Sequence, residues 1–275
     1  MLALLALMAL LPGCAPESSS EEESSPRDVP SKKSSPGKAL SKKFPLKKPP
    51  SEKDSPQNAT PATGNLPSRQ GERSVQDVLD ALEPAATRKL RGASRAHGIG
   101  WPPKRLTLLA FKQERSLEVW GANAEGAFAQ LGRYRILAAS GVRGPKRRQG
   151  DKQVPEGFYR LSELNPNSAY HLSIRVNYPN SEDILNAAIP VEMMGGDIYI
   201  HGNDVSIGCL ALGDAAIEEL FCLAAQVPVS ERRIIIAPLD FRRRPDAPLP
   251  PGAPWVLDLY RRMIRELRAF PAPKR

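Results

Sequence analysis

Two residues eight apart carry the strongest chemical signal in this chain: His201 and Cys209, with Gly202, Ser206 and Gly208 between them. A cysteine attacks only as its thiolate, and at a free pKa of about 8.5 it needs a base or a positive field nearby. An imidazole titrates near 6.5, so His201 can take a proton at neutral pH. The intervening loop is long enough to fold the two side chains together. Gly208 lets the backbone approach a reacting group closely, so N–H groups at Gly208 and Cys209 could hold an oxyanion. That set suits acyl transfer. The bland alternative is that a lone His at a strand end is structural and an unpaired Cys is a small buried apolar residue. Cys222 fits the latter role inside a helix, and His97 and His171 have no partner nearby in sequence. A zinc site would need three or four ligands, and no second His or Cys stands at ligand spacing near Cys209.

Positioning the pair takes a strand that ends at His201, a glycine-marked turn, and a helix that Asp214 can cap. That helix would present Ile217, Leu220, Phe221 and Ala224 on one face. Alternating or apolar runs at Arg105 to Phe111, Ser116 to Trp120, Tyr134 to Ala138, Phe158 to Leu161, Tyr170 to Val176, Asp197 to His201 and Arg233 to Ala237 read as strands. Ser74 and Asp77 form a capping box before a helical stretch over 75 to about 96, which Pro84 interrupts. An arginine-rich amphipathic helix runs roughly from Trp255 to Phe270. The fold class expected is mainly β with peripheral helices (α+β), arranged as a sheet pair or sandwich.

Both ends of the argument about location lie in the first 74 residues. Leu2 to Leu11 is an apolar run too short to span a bilayer as a mature helix, and it leads into Leu11-Pro12-Gly13-Cys14. This reads as a secretion signal with a lipobox, in which Cys14 is acylated. Residues 15–74 hold ten prolines, thirteen serines and eight lysines but one aromatic, Phe44, and cannot bury enough apolar area to offset their ordering entropy. They read as a disordered tether, dispensable for turnover, so that a chain beginning near Ser74 should fold and react. The domains expected are thus 1–14 (signal), 15–74 (tether), 75–103 (leading helical segment), 104–240 (catalytic domain) and 241–275 (basic helical extension). The net charge of +9 is spread thinly, with runs at Lys146 to Arg148 and Arg242 to Arg244 and no interleaved aromatics. Nucleic acid is therefore not an expected partner, and those runs read as solvated basic loops.

With these motifs in place, the window around Cys209 resembles the active-site motif of the L,D-transpeptidase catalytic domain, the YkuD superfamily, and more closely its YafK-like murein subgroup. Further matching motifs are Phe111-Lys112, Leu117 to Trp120, Gly144-Pro145-Lys146, Gly150-Asp151, Pro155 to Tyr159, Asn165 to Ser168, Tyr178-Pro179-Asn180 and Ala211 to Asp214. The resemblance covers about 105–240. It implies that Cys209 attacks, that His201 is its base, and that the Gly202 carbonyl orients the imidazole where many triads use a carboxylate. It puts the oxyanion hole at Gly208 and Cys209 and assigns Ser206, Tyr170 and Asn167 to substrate binding. The wider superfamily carries a His before the Gly-Cys pair and an Arg or Asn two residues after the Cys, where this chain has Ile207 and Ala211. The implied substrates are peptidoglycan stem peptides, exchanged through a thioester without cofactor or metal. The resolving group is a stem amine, a wall-anchored protein's lysine, or water, the last making the enzyme a hydrolase. The remaining alternative is a non-catalytic wall-binding lipoprotein. A penicillin-binding enzyme is disfavoured, since no Ser-x-x-Lys motif falls within the part read as folded, 75–275. The implied location is the periplasm, with Cys14 anchored in the outer membrane because Ala15, and not Asp, follows it.

Overall fold

The computed structural model describes residues 72–249 and 252–272. Cys14, the signal segment and all of the tether before residue 72 lie outside the described residues. The first helices are α1 (Val75–Ala86) and α2 (Arg88–Ala96). Ser74 caps α1 as its spacing predicts: the Asp77 N–H donates to the Ser74 hydroxyl at 3.1 Å, and the Ser74 N–H donates to Asp77 Oδ2 at 2.7 Å. Pro84 does not end α1, which continues to Ala86.

Eight strands follow: β1 (Arg105–Phe111), β2 (Ser116–Ala122), β3 (Ala129–Arg135), β4 (Gly157–Asn165), β5 (Ser173–Val176), β6 (Ile198–His201), β7 (Leu210–Ala211) and β8 (Arg232–Ala237). They form one curled sheet in the order β3-β2-β1-β8-β4-β5-β6-β7, antiparallel except at β1/β8 and β6/β7. The expected sheet pair is thus one sheet whose halves share β4. Gly157 to Arg160 pair with β8, and Leu161 to Asn165 pair with β5, with a register shift between Leu161 and Glu163. Such a shift bends a strand and strengthens its twist. The strand read over Tyr134 to Ala138 is displaced: β3 stops at Arg135, Ile136 packs into the core, Leu137 is exposed, and Ala138 makes an isolated bridge to Ala211.

The remaining helices are α3 (Ser181–Leu185), α4 (Asp214–Ala225) and α5 (Pro254–Glu266). One core gathers Leu106, Leu108, Val119, Ile174, Ile200 and Leu210 from both halves of the sheet with Val78 and Leu82 of α1 and Leu220 and Phe221 of α4. A second core lies on the other face of β1 and β8, where Leu109, Phe111, Trp120 and Ile235 meet Val256, Leu259, Tyr260 and Met263 of α5. Burial on both faces explains why β1 reads as a nearly continuous apolar run.

The basic runs are not solvated throughout. Arg242 is buried over the Phe111 ring and donates to both oxygens of Glu118 at 3.0 Å and to Asp240 at 2.8 Å. Lys146 is likewise buried, 2.6 Å from Asp151. A buried charge must be paired, and the acids that pair with Arg242 include one 124 residues away, which no local pattern shows.

Candidate active site

The loop from Gly202 to Gly213 is pinned where it leaves and rejoins the sheet. The Leu212 N–H donates to the His201 carbonyl at 3.0 Å, and the Gly213 N–H to the Asn203 carbonyl at 3.0 Å. Asp214 does not cap α4; Gly213, at φ +82°, holds the cap position. The Asp214 carboxylate instead accepts the Asn203 N–H at 2.8 Å, tying the helix start to the loop. Gly202 sits where no side chain fits. A Cβ there would lie 2.5 Å from Asp214 Oδ1 and 2.8 Å from the Tyr170 carbonyl oxygen.

His201 closes β6 and is 2 % exposed. Its Nδ1 lies 2.6 Å from the Gly202 carbonyl oxygen. A carbonyl only accepts, so Nδ1 carries the proton and Nε2 keeps its lone pair. The Tyr170 ring packs on the imidazole with centroids 4.7 Å apart. Burial pulls the imidazole below the ordinary histidine range, and the Gly202 carbonyl offsets part of that.

Cys209 begins the return toward β7. Its thiol donates to the Asp197 carbonyl at 3.5 Å. Burial pushes the thiol above its ordinary value; the Tyr199 main chain works against that, the Asp197 carboxylate adds to it, and the Lys146 ammonium opposes it. Both partners are therefore neutral at rest. His201 and Cys209 line one cavity of about 320 Å³, together with Asn165, Ser168, Tyr170, Asp197 and Tyr199.

The turn before the nucleophile is closed on itself. The Ser206 hydroxyl donates to the Cys209 carbonyl at 2.7 Å and accepts the Cys209 N–H at 3.0 Å. The Gly208 N–H, at φ +93°, donates to the Ser140 hydroxyl at 2.7 Å. Both amides expected at an oxyanion hole are thus engaged by hydroxyls, because a shielded N–H finds a partner. Asn167 is not brought to the cavity wall. It is exposed, accepts the Arg73 N–H at 2.9 Å and donates to the Arg73 carbonyl at 2.8 Å. The Arg73 guanidinium also donates to the carbonyls of Pro166 and His171. Arg73 and Ser74 therefore belong to the fold and not to the tether. His171 is held against Glu218 of α4 at 2.8 Å.

Ser140, Asp197, Tyr199 and Arg73 are site or support residues that motif reading missed. Asp197 and Tyr199 fell within the strand read over Asp197 to His201, where nothing marked either as lining the site. Several matched motifs turn out to be scaffolding. Lys112 and Glu156 make a buried pair at 2.9 Å, which the Gly144 N–H and the Tyr260 hydroxyl join at 2.9 and 2.6 Å. Among the described residues, no group of three or more His, Cys, Asp or Glu is arranged to hold a metal ion, and no helix is long and apolar enough to cross a membrane.

Residues 107–236 match the model of YkuD, the L,D-transpeptidase catalytic domain. The chain is 39% identical over 113 residues to the putative L,D-transpeptidase YafK of Escherichia coli (strain K12), covering 40% of this chain and 44% of that protein. It thus spans less than half the length of that relative. Among solved structures, Bdellovibrio bacteriovorus Bd1075 is similar at 25% identity and a TM-score of 0.37, over 50% of this chain and 49% of that one. The helical cell shape determining protein Pgp2 from Campylobacter jejuni is similar at 23% and 0.38, over 56% and 55%. Scores this low add nothing to the family match. Residues 107–236 thus match the YkuD L,D-transpeptidase catalytic domain, in agreement with the motifs gathered around His201 and Cys209.

Proposed function

We propose that the chain is an exported, cysteine-dependent L,D-transpeptidase acting on peptidoglycan stem peptides through a thioester at Cys209. The observation that carries this reading is the 2.6 Å contact between His201 Nδ1 and the Gly202 carbonyl, in a cavity shared with Cys209. It fixes the tautomer in which Nε2 is the basic nitrogen, which is what a general base for a thiol requires.

On this reading the Cys209 proton passes to His201 Nε2 as Sγ adds to the carbonyl of the third stem residue. The tetrahedral oxyanion takes N–H donors at Gly208 and Cys209, displacing the Ser140 and Ser206 hydroxyls that now occupy them. Collapse breaks the C–N bond, and the leaving amine takes the proton back from the imidazolium. An acceptor amine then adds to the thioester, gives its proton to Nε2 and releases Sγ, which is reprotonated. A stem amine as acceptor gives a cross-link, a protein lysine gives wall attachment, and water gives trimming. A mature protein acylated at Cys14 would place this site in the periplasm, tethered to the outer membrane.

The test is incubation with purified muropeptides followed by mass spectrometry, in wild type and Cys209→Ala. New cross-linked, exchanged or trimmed products that vanish in the variant support the reading. Products that persist in Cys209→Ala, or an absence of products with the wild type, reject it. Fatty-acid labelling that disappears in Cys14→Ser tests the anchor separately.

A further inference from the structure

Residues 139–144 run without helix or strand, yet they carry Ser140, whose hydroxyl accepts the Gly208 N–H at 2.7 Å. Backbone outside a ladder is held only as well as its other partners hold it. The Val154 N–H reaches the Ser140 carbonyl at a long 3.4 Å, so two side chains carry most of the task. Gln153 accepts the Val142 N–H at 2.8 Å and donates to the Val142 carbonyl at 2.6 Å and to that of Gly144. Glu156, 1 % exposed, accepts the Gly144 N–H at 2.9 Å through Oε1, which also faces Lys112 Nζ at 2.9 Å. Lys112 in turn donates to the Gly144 carbonyl at 3.3 Å.

The other oxygen of Glu156 takes a donor from far along the chain. The Tyr260 hydroxyl of α5 donates to Oε2 at 2.6 Å, across 104 residues. Tyr260 is fully buried, and burial with the Glu156 charge beside it pushes the phenol well above its ordinary range, so it stays a donor. A line of contacts thus runs from Tyr260 through Glu156, Gly144 and Ser140 to Gly208. It starts on a helix beyond the matched stretch 107–236 and ends on the amide next to the nucleophile. Gly208 sits at φ +93°, where a glycine leaves its peptide free to turn. The acceptor on its N–H fixes the direction in which that N–H points before substrate arrives.

We infer that Tyr260 is a positioning residue for acyl transfer: through Glu156 it fixes the 140–144 segment, and Ser140 there aims the Gly208 amide for the oxyanion. This rests on the acyl-transfer reading above. Donors fixed in advance are what make an oxyanion hole effective. Without the Tyr260 hydroxyl, Oε2 loses its donor at a buried position, and the carboxylate turns to recover one. The Gly144 N–H then loses its acceptor and Ser140 drifts from Gly208. His201 and Cys209 keep their own partners, the Gly202 and Asp197 carbonyls.

The test compares wild type, Tyr260→Phe, Ser140→Ala and the double variant in the full chain. Tyr260→Phe removes one oxygen and keeps the packed ring; Ser140→Ala cuts the line at its partly exposed end and serves should the first not fold. With purified muropeptides, kcat should fall about tenfold in either single variant with KM unchanged, the scale of one buried hydrogen bond. Alkylation of Cys209 by iodoacetamide passes through no oxyanion and should keep the wild-type rate. Hydrogen exchange at the Gly208 amide should quicken about tenfold in both, with β6 unchanged. The double variant should be no slower than the slower single one, because both act on one amide. Alkylation that falls in step with turnover, a gain of turnover in Ser140→Ala, or losses that add in the double variant overturn the inference. Faster exchange at Gly208 with no product from the wild type keeps the line from Tyr260 and removes the transpeptidase reading. Product from the wild type, with exchange and turnover unchanged in Tyr260→Phe, does the reverse.

Discussion

Arg73 and Asn167 hold each other by two hydrogen bonds, the Arg73 N–H to Asn167 Oδ1 at 2.9 Å and Asn167 Nδ2 to the Arg73 carbonyl at 2.8 Å. The loop so gripped carries Tyr170, whose ring packs on His201. A chain beginning at Ser74 keeps the α1 cap but loses this grip. It should fold, yet turn over about three- to tenfold more slowly than a chain beginning at Glu72, the worth of one or two partly exposed hydrogen bonds. Side-by-side rates and melting temperatures for the two chains check this; equal rates would show that the loop needs no help from Arg73.

The two described cysteines should differ completely. Cys222 is fully buried, and burial pushes its thiol up to about 12, whereas Cys209 opens on the cavity. Iodoacetamide at pH 8 should therefore label Cys209 alone, as peptide mapping will show. Cys222→Ala should keep most of the activity and cost about 1 kcal/mol of stability. Cys209→Ala should abolish activity without lowering the melting point. Comparable losses of activity in the two folded variants would contradict the assignment of the nucleophile.

The pH profile follows from two neutral partners. The folded His201 pKa lies below its unfolded value, so the stability this group contributes is complete above about 6.5 and is lost as pH falls through the lower folded value. The same lowered value sets the acid limb of acylation, which should lie at lower pH than the titration of a free imidazole. Because the Cys209 thiol is raised, alkylation should still be climbing above pH 9. A thiol already fully reactive at pH 5, with the curve moved upward by several units in His201→Gln, would indicate a preformed ion pair instead. Identical curves in wild type and that variant would separate His201 from the chemistry altogether.

Gly202→Ala asks how tightly the base is held. The added methyl would press on Asp214 Oδ1 at 2.5 Å and on the Tyr170 carbonyl oxygen at 2.8 Å. Both neighbours belong to the frame around His201, so relief has to come from the loop. We expect a loss of about a hundredfold in turnover from misplacement of the imidazole, together with a lower melting point. Kinetics within a fewfold of wild type would mean that the loop shifts without moving the base.

The chemistry was legible because its parts are close in sequence: a strand end, a turn glycine and a Gly-Cys pair fall within nine residues. The strands β1 and β8 were legible because apolar runs bounded by turn residues leave few alternatives. What escaped was long-range. Gly208 finds Ser140, Asn167 finds Arg73 and Arg242 finds Glu118, at separations of 68, 94 and 124 residues. Periodicity carries no term for such pairs, so the Arg73 partner of Asn167 went unseen and Arg242 read as a solvated charge. Asp214 misread for a related reason, since an aspartate at a helix start serves a cap or a neighbouring loop equally well.

Helix α5 begins eighteen residues after the family match ends at 236, yet it covers Leu109, Phe111, Trp120 and Ile235 and its Tyr260 hydroxyl reaches Glu156. The stretch that the family model matches is therefore smaller than the packed unit. Cut at the family boundary, the sheet would offer its rear apolar face to any neighbour, and the product would be prone to precipitate before its chemistry could be assayed. Recombinant versions of this domain should be drawn to Phe270 at least, and insolubility of a shorter one would report a missing cover and not a missing activity.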